Sequence, residues 1–175
     1  DEDVKQLEAF TPYIDNNLAS GHITLPDTGF DILGEKIDIV QDLVEKMLVD
    51  EKVSIGKNGE DTIVGFFNVS QKDIYETDPE KIDFVKNLDE LQDRWRKILK
   101  MQLISQYFDL KDLQEKSQEK KGEELKVDDE LWVESLGKIR KRNSNFFARL
   151  HQETLQDHYD RYFNCITRAF GPHTN

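Results

Sequence analysis

The chain has 175 residues, of which 37% are hydrophobic and 34% are charged, and its mean hydropathy is −0.72. This balance is typical of helices with one apolar and one solvated face, and it argues against a buried parallel sheet. The formal net charge of −12 argues against nucleic acids and anionic membrane surfaces as partners, because both require a basic footprint. Two Trp, five Tyr and ten Phe can fill a core, so we expect an all-α fold, mainly a helical bundle.

The first part of the chain is predicted to hold two helices. Apolar residues three and four apart predict the first helix over residues 3–20, which Pro12 would kink or split and Gly21 would end. Residues 22–33 are predicted to form a turn-rich passage, because Gly and Pro recur there. A second apolar stripe predicts a helix over residues 35–50, with an earlier start as an alternative.

After the second helix the helical pattern ends, and the sequence predicts either a short β-hairpin near residues 53–64 or an extended excursion. Two runs rich in β-branched residues flank Asn58-Gly59, a dipeptide that favours hairpin turns. The glycines of this loop do not indicate a phosphate site, since no Lys-Ser or Lys-Thr and no helix follow them. Phe66 and Phe67 are predicted to pack this segment onto the helices.

The middle of the chain is predicted to contain one short and one long helix. Pro79 suits the first position of a short helix. Asn87 or Asp89 is expected to open the longer helix, whose apolar stripe continues to about Asp112. Residues 114–127 are almost wholly polar, and we predict that they form an exposed, mobile connection.

A further helix is predicted to start at Asp128 and to run to about Leu150, with a bend or break at residues 143–145. The Asn-Ser-Asn sequence there has low helix propensity. Basic residues cluster within 94–100 and within 138–142. We interpret both clusters as solvated helix faces that pair with acidic neighbours.

The last helix is the most clearly delimited element of the sequence. Thr154 and Asp157 are spaced as a variant of the capping box at its start, while Gly171 and Pro172 are placed to end it. Between them lies an apolar, aromatic-rich stripe at helical spacing: Leu155, Tyr159, Tyr162, Phe163, Ile166 and Phe170.

The sequence offers few groups for catalysis or metal binding. His151 and His158 are seven residues apart, too far to chelate as a pair one helical turn apart does, and we expect surface or boundary imidazoles. Cys165 is the only cysteine, which excludes an intrachain disulfide, and we expect a buried, inert thiol. No serine lies in a Gly-x-Ser-x-Gly or Ser-x-x-Lys motif. We therefore predict no catalytic residue, no metal site and no cofactor.

Several segments carry a resemblance to a known family. The last helix followed by residues 172–175, Pro-His-Thr-Asn, resembles the exit of the N-terminal helical domain of tail-specific proteases. These are bacterial C-terminal processing serine peptidases of the cell envelope. Residues 3–7 and 18–21 are similar to that domain's early helices, residues 88–97 to its Glu-Leu-x-x-x-Trp helix, and residues 138–150 to its basic helix. Gly171 replaces the usual acidic residue, and residues 52–80 match no part of the family pattern.

The resemblance implies that residues 1–175 are a single helical domain placed before a PDZ domain and a Ser/Lys peptidase domain. It implies a periplasmic serine endopeptidase in which this domain is a non-catalytic scaffold. The implied partners are the parent's own PDZ and peptidase domains, protein or peptide substrates, and an adaptor protein. Pro172, His173, Thr174 and Asn175 match the domain junction, and the resemblance implies a structural, linking role for them.

Two other interpretations of the sequence stay open at this point. One is a stand-alone all-α interaction module or adaptor without peptidase activity, and the other is a His-based metalloenzyme. The chain begins at Asp1 without a Met or a signal-peptide pattern, so we expect a processed or trimmed piece of a longer protein. If it normally packs on neighbouring domains, we predict an exposed apolar patch that includes aromatic residues of the last helix.

Overall fold

A computed structural model of the chain describes residues 2–57, 60–121 and 126–171. It confirms the predicted all-α fold with one small antiparallel sheet. The helices and strands, in chain order, are α1 (Glu2–Glu8), a 3-10 turn (Thr11–Tyr13), α2 (Ile14–Ser20), α3 (Thr24–Leu48), β1 (Val53–Ser54), β2 (Ile63–Val64), β3 (Phe67–Asn68), a 3-10 turn (Pro79–Lys81), α4 (Leu88–Lys121), α5 (Asp128–Leu150) and α6 (Leu155–Phe170).

The described residues form two compact units. The first unit contains the residues up to Gln41 and those from Phe146 onward, and the second contains residues 42–145. The boundaries lie inside α3 and α5, so each of these helices contributes to both units. The single domain over residues 1–175 that the sequence predicts stays a prediction.

The first predicted helix is split, as its proline indicates. α1 and α2 are separated by the 3-10 turn that contains Pro12, because proline cannot donate the hydrogen bond that an uninterrupted helix needs. Gly21 ends α2 with a φ of 74°, in the left-handed region that glycine adopts without steric cost. Lys36 of α3 forms an ion pair with Asp3 of α1 at 2.8 Å.

The predicted turn-rich passage over residues 22–33 is wrong, because α3 already begins at Thr24. Pro26 lies in the first helical turn, where its missing N–H would have no helical acceptor in any case. Two contacts from α6 hold this turn in place: the Tyr159 hydroxyl donates to Asp27, and His158 packs edge-on against Phe30 at 4.9 Å between ring centroids. Tertiary contacts thus override the low helix propensity of glycine and proline.

The predicted hairpin is confirmed, and a third strand extends it. β1 pairs with β2 in antiparallel fashion, with Val53 opposite Val64, and β2 pairs with β3, with Val64 opposite Phe67. Val64 and Phe67 are buried, so the prediction that Phe67 packs this segment holds, whereas Phe66 is 45% exposed. The Asn58-Gly59 turn lies outside the described residues.

Only glycine fits the turn between β2 and β3. Gly65 has a φ of 55°, and a Cβ atom built on it would lie 2.3 Å from the Asp50 carbonyl oxygen. The turn and β3 were not predicted from the sequence, because the turn signal of the segment, Asn58-Gly59, lies in the preceding loop.

The short helix predicted at Pro79 is a single 3-10 turn capped by the Asp78 side chain, which accepts a hydrogen bond from the Glu80 N–H. α4 is capped by Asn87, whose Oδ1 accepts from the Glu90 N–H at 2.9 Å. It continues to Lys121, well beyond the predicted end.

The predicted mobile connection over residues 114–127 is therefore helical for its first half, and residues 122–125 lie outside the described part. Gln114 makes two hydrogen bonds with the Lys126 backbone, donating to its carbonyl at 3.0 Å and accepting from its N–H at 2.8 Å. These bonds give the polar end of α4 a fixed partner that the sequence pattern does not show.

A bend or break was predicted at residues 143–145, and the break is wrong, since α5 is continuous through them. Asn143 is only 5% exposed. Its amide donates to the Ile139 carbonyl one turn earlier at 2.9 Å and to Gln102 of α4 at 3.2 Å. A buried amide with both partners in place stabilises the helix that its propensity alone would weaken.

The core of the second unit is apolar and is closed by an aromatic pair. Tyr107 and Trp132 stack in parallel with 3.9 Å between ring centroids, and the Tyr107 hydroxyl donates to Asp128 at 2.8 Å. Burial raises the pKa of Tyr107 above its ordinary value. The buried apolar side chains around this pair are Val44, Met47, Leu48, Leu99, Leu103, Leu110, Leu131, Leu136 and Ile139.

Arg140 of α5 caps the C-terminus of α3. Its Nε donates to the Leu48 carbonyl at 2.9 Å, and its guanidinium pairs with Glu51. An arginine at this position satisfies a carbonyl that has no helical donor.

Candidate functional site

The two histidines of the C-terminal region lie in different surroundings. His151 is exposed, with Nε2 2.7 Å from Gln41 Oε1 and 3.7 Å from Asp38. His158 is half-buried against Phe30, and its Nε2 lies 3.4 Å from Glu153 without a hydrogen bond of acceptable geometry. In the part of the chain that the structure describes, no group of three His, Cys, Asp or Glu side chains could hold a metal ion.

The start of α6 carries the capping box that its sequence predicts. The Thr154 hydroxyl accepts from the Asp157 N–H at 3.3 Å, and the Asp157 carboxylate accepts from the Thr154 N–H at 2.7 Å. The Asp157 carboxylate also accepts from the Thr154 hydroxyl at 2.8 Å, and the bonds that it accepts from the Thr154 N–H and hydroxyl hold the pKa of Asp157 below its usual value. The Arg161 guanidinium donates two hydrogen bonds to the Glu153 carboxylate, at 2.9 and 2.7 Å. These bonds lower the pKa of Glu153. The two carboxylates thus fix the point at which the chain enters α6.

The apolar face of α6 is only partly covered. None of the α6 side chains that the structure describes is fully buried, although the helix is strongly amphipathic. Leu155, Tyr159, Tyr162 and Ile166 are half-buried, and Phe163 is 39% exposed. An aromatic stripe that its own unit does not bury is available to another protein surface.

Cys165 is exposed, so the buried thiol predicted from the sequence is wrong. The prediction assumed that the residue between Phe163 and Ile166 would share a core contact, yet these neighbours are themselves incompletely covered.

The predicted domain junction begins where the description of the chain ends. The Gly171 N–H donates to the Thr167 carbonyl at 3.0 Å and closes α6. Pro172, His173, Thr174 and Asn175 lie outside the described residues, so their linking role stays a prediction.

The basic cluster within residues 94–100 is not a purely solvated face. Lys100 is 4% exposed, and its ammonium donates to Asp73 at 2.6 Å and to the Gln71 carbonyl. Arg96 binds the same carboxylate through two hydrogen bonds of 3.0 and 2.7 Å. The two cations, Arg96 first, hold the pKa of Asp73 far below its usual range, and Asp73 raises the pKa of Arg96. The predicted pairing with acidic neighbours occurs within α4, where Asp93 pairs with Arg96 at 2.9 Å and with Lys97 at 2.7 Å. Asp73, from the segment that precedes α4, is an additional partner that was not predicted.

This ion cluster anchors an extended segment along α4 and leaves a groove between them. The groove has a volume of about 290 Å³; Ile74, Tyr75 and Ile82 of the segment and Glu90, Arg94 and Lys97 of α4 are among its lining residues. We call this surface the 74–97 groove.

Two bulky apolar side chains of this segment lie almost entirely in solvent: Ile74, in the groove lining, is 92% exposed, and Phe84, next to the lining residue Asp83 in sequence, is 97% exposed. Sequence reasoning missed this site. The available signal was a run of isolated apolar residues within a polar, proline-containing stretch that has no helical period.

No helix in the described part of the chain is both long enough and apolar enough to span a membrane.

Comparison with protein families identifies a match over the whole chain. A protein-family model, described as the tail specific protease N-terminal domain, matches residues 1–175. No curated protein and no solved structure matches the chain. The match covers every element from α1 to α6, the 74–97 groove and the predicted junction residues alike.

Proposed function

Because this chain belongs to the tail-specific protease N-terminal domain family, we propose that it is the non-catalytic helical part of a periplasmic serine endopeptidase. The family membership confirms the resemblance that residues 172–175 and the helices before them suggested. In this proposal the nucleophilic serine and its lysine partner belong to the parent's peptidase domain, and the helical part holds the PDZ and peptidase domains in place.

The observation that carries the scaffolding role is the partly covered face of α6. Its aromatic stripe leads directly to the predicted junction, and Phe163 retains 39% of its exposure in this chain. Burial of a large apolar side chain against a partner contributes about 1.5–3 kcal/mol. A second domain that covers this stripe would therefore gain affinity from residues that the chain itself leaves in water.

We also propose that the second unit contacts substrate or adaptor proteins. The 74–97 groove supports this role, because apolar side chains that lie together around a groove are typical of protein interaction sites, and Ile74 in its lining and Phe84 close to it in sequence are almost fully exposed. The acidic charge of the chain is compatible with protein partners.

Reconstitution tests the scaffolding role. The chain alone should not cleave an unstructured peptide with an apolar C-terminus. Adding it to the separately purified PDZ–peptidase part of the parent should restore cleavage that this part performs poorly by itself. Phe163→Ala should weaken the restoration roughly tenfold, the loss that about 1.4 kcal/mol of apolar contact predicts.

The matched control for this experiment is Phe108→Ala, which removes a side chain of 57% exposure from α4. It should restore cleavage as well as the unmodified chain does. Specific cleavage by the chain alone, after repurification, would refute the non-catalytic role. A lack of association with the PDZ–peptidase part would favour a stand-alone interaction module instead. Recovery of the parent in the cytoplasmic rather than the osmotic-shock fraction would refute the periplasmic location.

A further inference from the structure

The two sides of the 74–97 groove, α4 and the segment that precedes it, differ in how far their backbone groups are hydrogen-bonded. α4 satisfies its own backbone groups along its length. The facing stretches 72–77 and 82–85 form no backbone–backbone hydrogen bonds with the other described residues. Asp78 and Ile82 have β-region dihedral angles, with φ of −79° and −86°. Side chains bond some of these groups: the Thr77 N–H donates to the Glu76 carboxylate, and the Asp83 carbonyl accepts from Arg94. The backbone groups of residues 72–76 form no hydrogen bond with described residues, and such a free stretch is a template for pairing with another strand.

The groove combines this backbone with apolar side chains. Ile74, Tyr75 and Ile82 are apolar lining residues, and Phe84, which follows the lining residue Asp83 in sequence, is 97% exposed. The volume of about 290 Å³ is at the lower end of the range for ligand pockets. It therefore suits a short stretch of extended chain that inserts one or two apolar side chains.

The charges around the groove indicate the sign of its ligand. Three carboxylates near it, those of Glu76, Asp83 and Glu90, form no ion pair with any described residue. Lys97 is neutralised by Asp93 at 2.7 Å, and Arg94 donates to the Asp83 carbonyl. The four carboxylates of the lining, those of Glu76, Asp83, Glu90 and Asp93, exceed its three cations, Lys81, Arg94 and Lys97, by one charge. The groove is thus weakly acidic, and the whole chain carries a net charge of −12. A cationic ligand complements this field, while a second copy of the chain is repelled by it.

We propose that the 74–97 groove binds an extended polypeptide in which bulky apolar residues alternate with Lys or Arg. The ligand strand pairs with the free backbone of the extended segment. Its apolar side chains contact Ile74, Ile82 and Phe84, and its cations lie near Glu76, Asp83 and Glu90. This inference rests on the proposed function only for the source of the ligand, a substrate protein in the unfolded state.

The test is a fluorescence-anisotropy titration of the complete chain with three labelled peptides. The first alternates Lys with Val and Phe, the second carries Glu in place of every Lys, and the third is the Lys peptide with every second backbone amide methylated. We expect saturable binding of the first peptide. Binding of the other two should be at least roughly tenfold weaker, since each loses one class of contact worth about 1.4 kcal/mol.

Variants with matched controls assign the binding to the groove. Phe84→Ser should raise the Kd of the Lys peptide roughly tenfold. Phe108→Ser, an exposed aromatic of α4 outside the groove, should leave it unchanged. Asp83→Asn should weaken binding at low salt, whereas Asp109→Asn should not. Both positions that test the groove are exposed, so these variants should keep the circular dichroism of the unmodified chain.

Equal binding of the Lys and Glu peptides, or of the methylated peptide, would overturn the proposal. An unchanged Kd of the Lys peptide in Phe84→Ser would also overturn it. A dimer of the chain that Phe84→Ser converts to monomer would overturn it as well, since the groove would then bind a second copy of the chain. Peptide binding without reconstitution of cleavage would leave this inference standing and refute the scaffolding role. Reconstitution of cleavage without peptide binding would support the scaffolding role and refute this inference.

Discussion

Asp73 joins the extended segment to α4 through two cations. Its carboxylate lies within 2.6–3.0 Å of three nitrogen atoms of Arg96 and Lys100, and its side chain is only 14% exposed. A carboxylate so placed is stabilised in its charged form, while removing it would leave Lys100 buried and without its counter-ion. The arrangement therefore constrains the position of the groove as well as the stability of the unit.

Asp73→Asn should lower the free energy of unfolding by about 2–4 kcal/mol at pH 7, because it leaves a buried cation unpaired. Urea denaturation followed by circular dichroism measures this change. Asp109→Asn, at an exposed position of α4 outside the cluster, is the control and should change the free energy by less than about 0.5 kcal/mol.

The lowered pKa of Asp73 also predicts a pH dependence with a definite sign. Its pKa in the folded chain lies below the unfolded value of about 3.9, so its contribution is fully present above about pH 4. The contribution is lost as the pH falls from there toward the folded pKa. Between pH 5 and pH 3 the unmodified chain should therefore lose more stability than Asp73→Asn does. An equal loss in both proteins would show that Asp73 carries no such linkage.

Gly65 is the clearest case of a residue fixed by backbone geometry. Gly65→Ala should destabilise the chain by about 1–3 kcal/mol, since it combines a positive φ with a Cβ placed against the Asp50 carbonyl. Gly137→Ala is the matched control. Gly137 lies within α5, where an added Cβ meets nothing within 4 Å, so alanine should stabilise the helix by up to about 1 kcal/mol. Thermal unfolding of both variants measures the contrast, and a shift of the same sign in both would contradict it.

At the scale of whole elements, the start of α6 depends on the Thr154–Asp157 capping box. Thr154→Ala should cost about 1 kcal/mol and increase hydrogen exchange in the first turn of α6, because it frees the Asp157 N–H. Thr154→Ser keeps the hydroxyl and should retain the protection. If alanine and serine gave the same exchange rates, the capping box would not stabilise the helix.

The sequence predicted those elements whose signals are local. The α6 cap, the break at Pro12 and the stop at Gly21 each follow from residues within one helical turn of each other, and the structure contains all three. The β1–β2 pairing was also within reach, since its two runs of β-branched residues are close in sequence.

Three of the misses share a different cause, namely partners that are distant in sequence. The start of α3 is held by Tyr159, which bonds Asp27 across 132 positions. Asn143 is accommodated in α5 by Gln102, which lies 41 positions away. Lys100 is buried because Asp73 is present, 27 positions away. Propensity and periodicity do not register such contacts. The last of them, between Lys100 and Asp73, anchors the segment that lines the 74–97 groove, and the groove was not predicted either.

At the scale of the molecule, the chain presents two kinds of surface. The first unit carries the partly covered aromatic stripe of α6, and the second carries the acidic 74–97 groove. Family membership assigns the chain to the N-terminal part of a protease. In our proposal the first unit binds the parent's PDZ and peptidase domains, and the second unit binds extended polypeptide.

The scaffolding role requires that the parent's other domains cover the aromatic face of α6. Hydroxyl-radical footprinting of Phe163 tests this coverage most directly. The oxidation rate of Phe163 should be at least roughly tenfold lower in the intact parent than in the isolated chain, while the rate at Phe108 should not change. Equal oxidation of Phe163 in both proteins would show that this face stays in water, and it would contradict the scaffolding role.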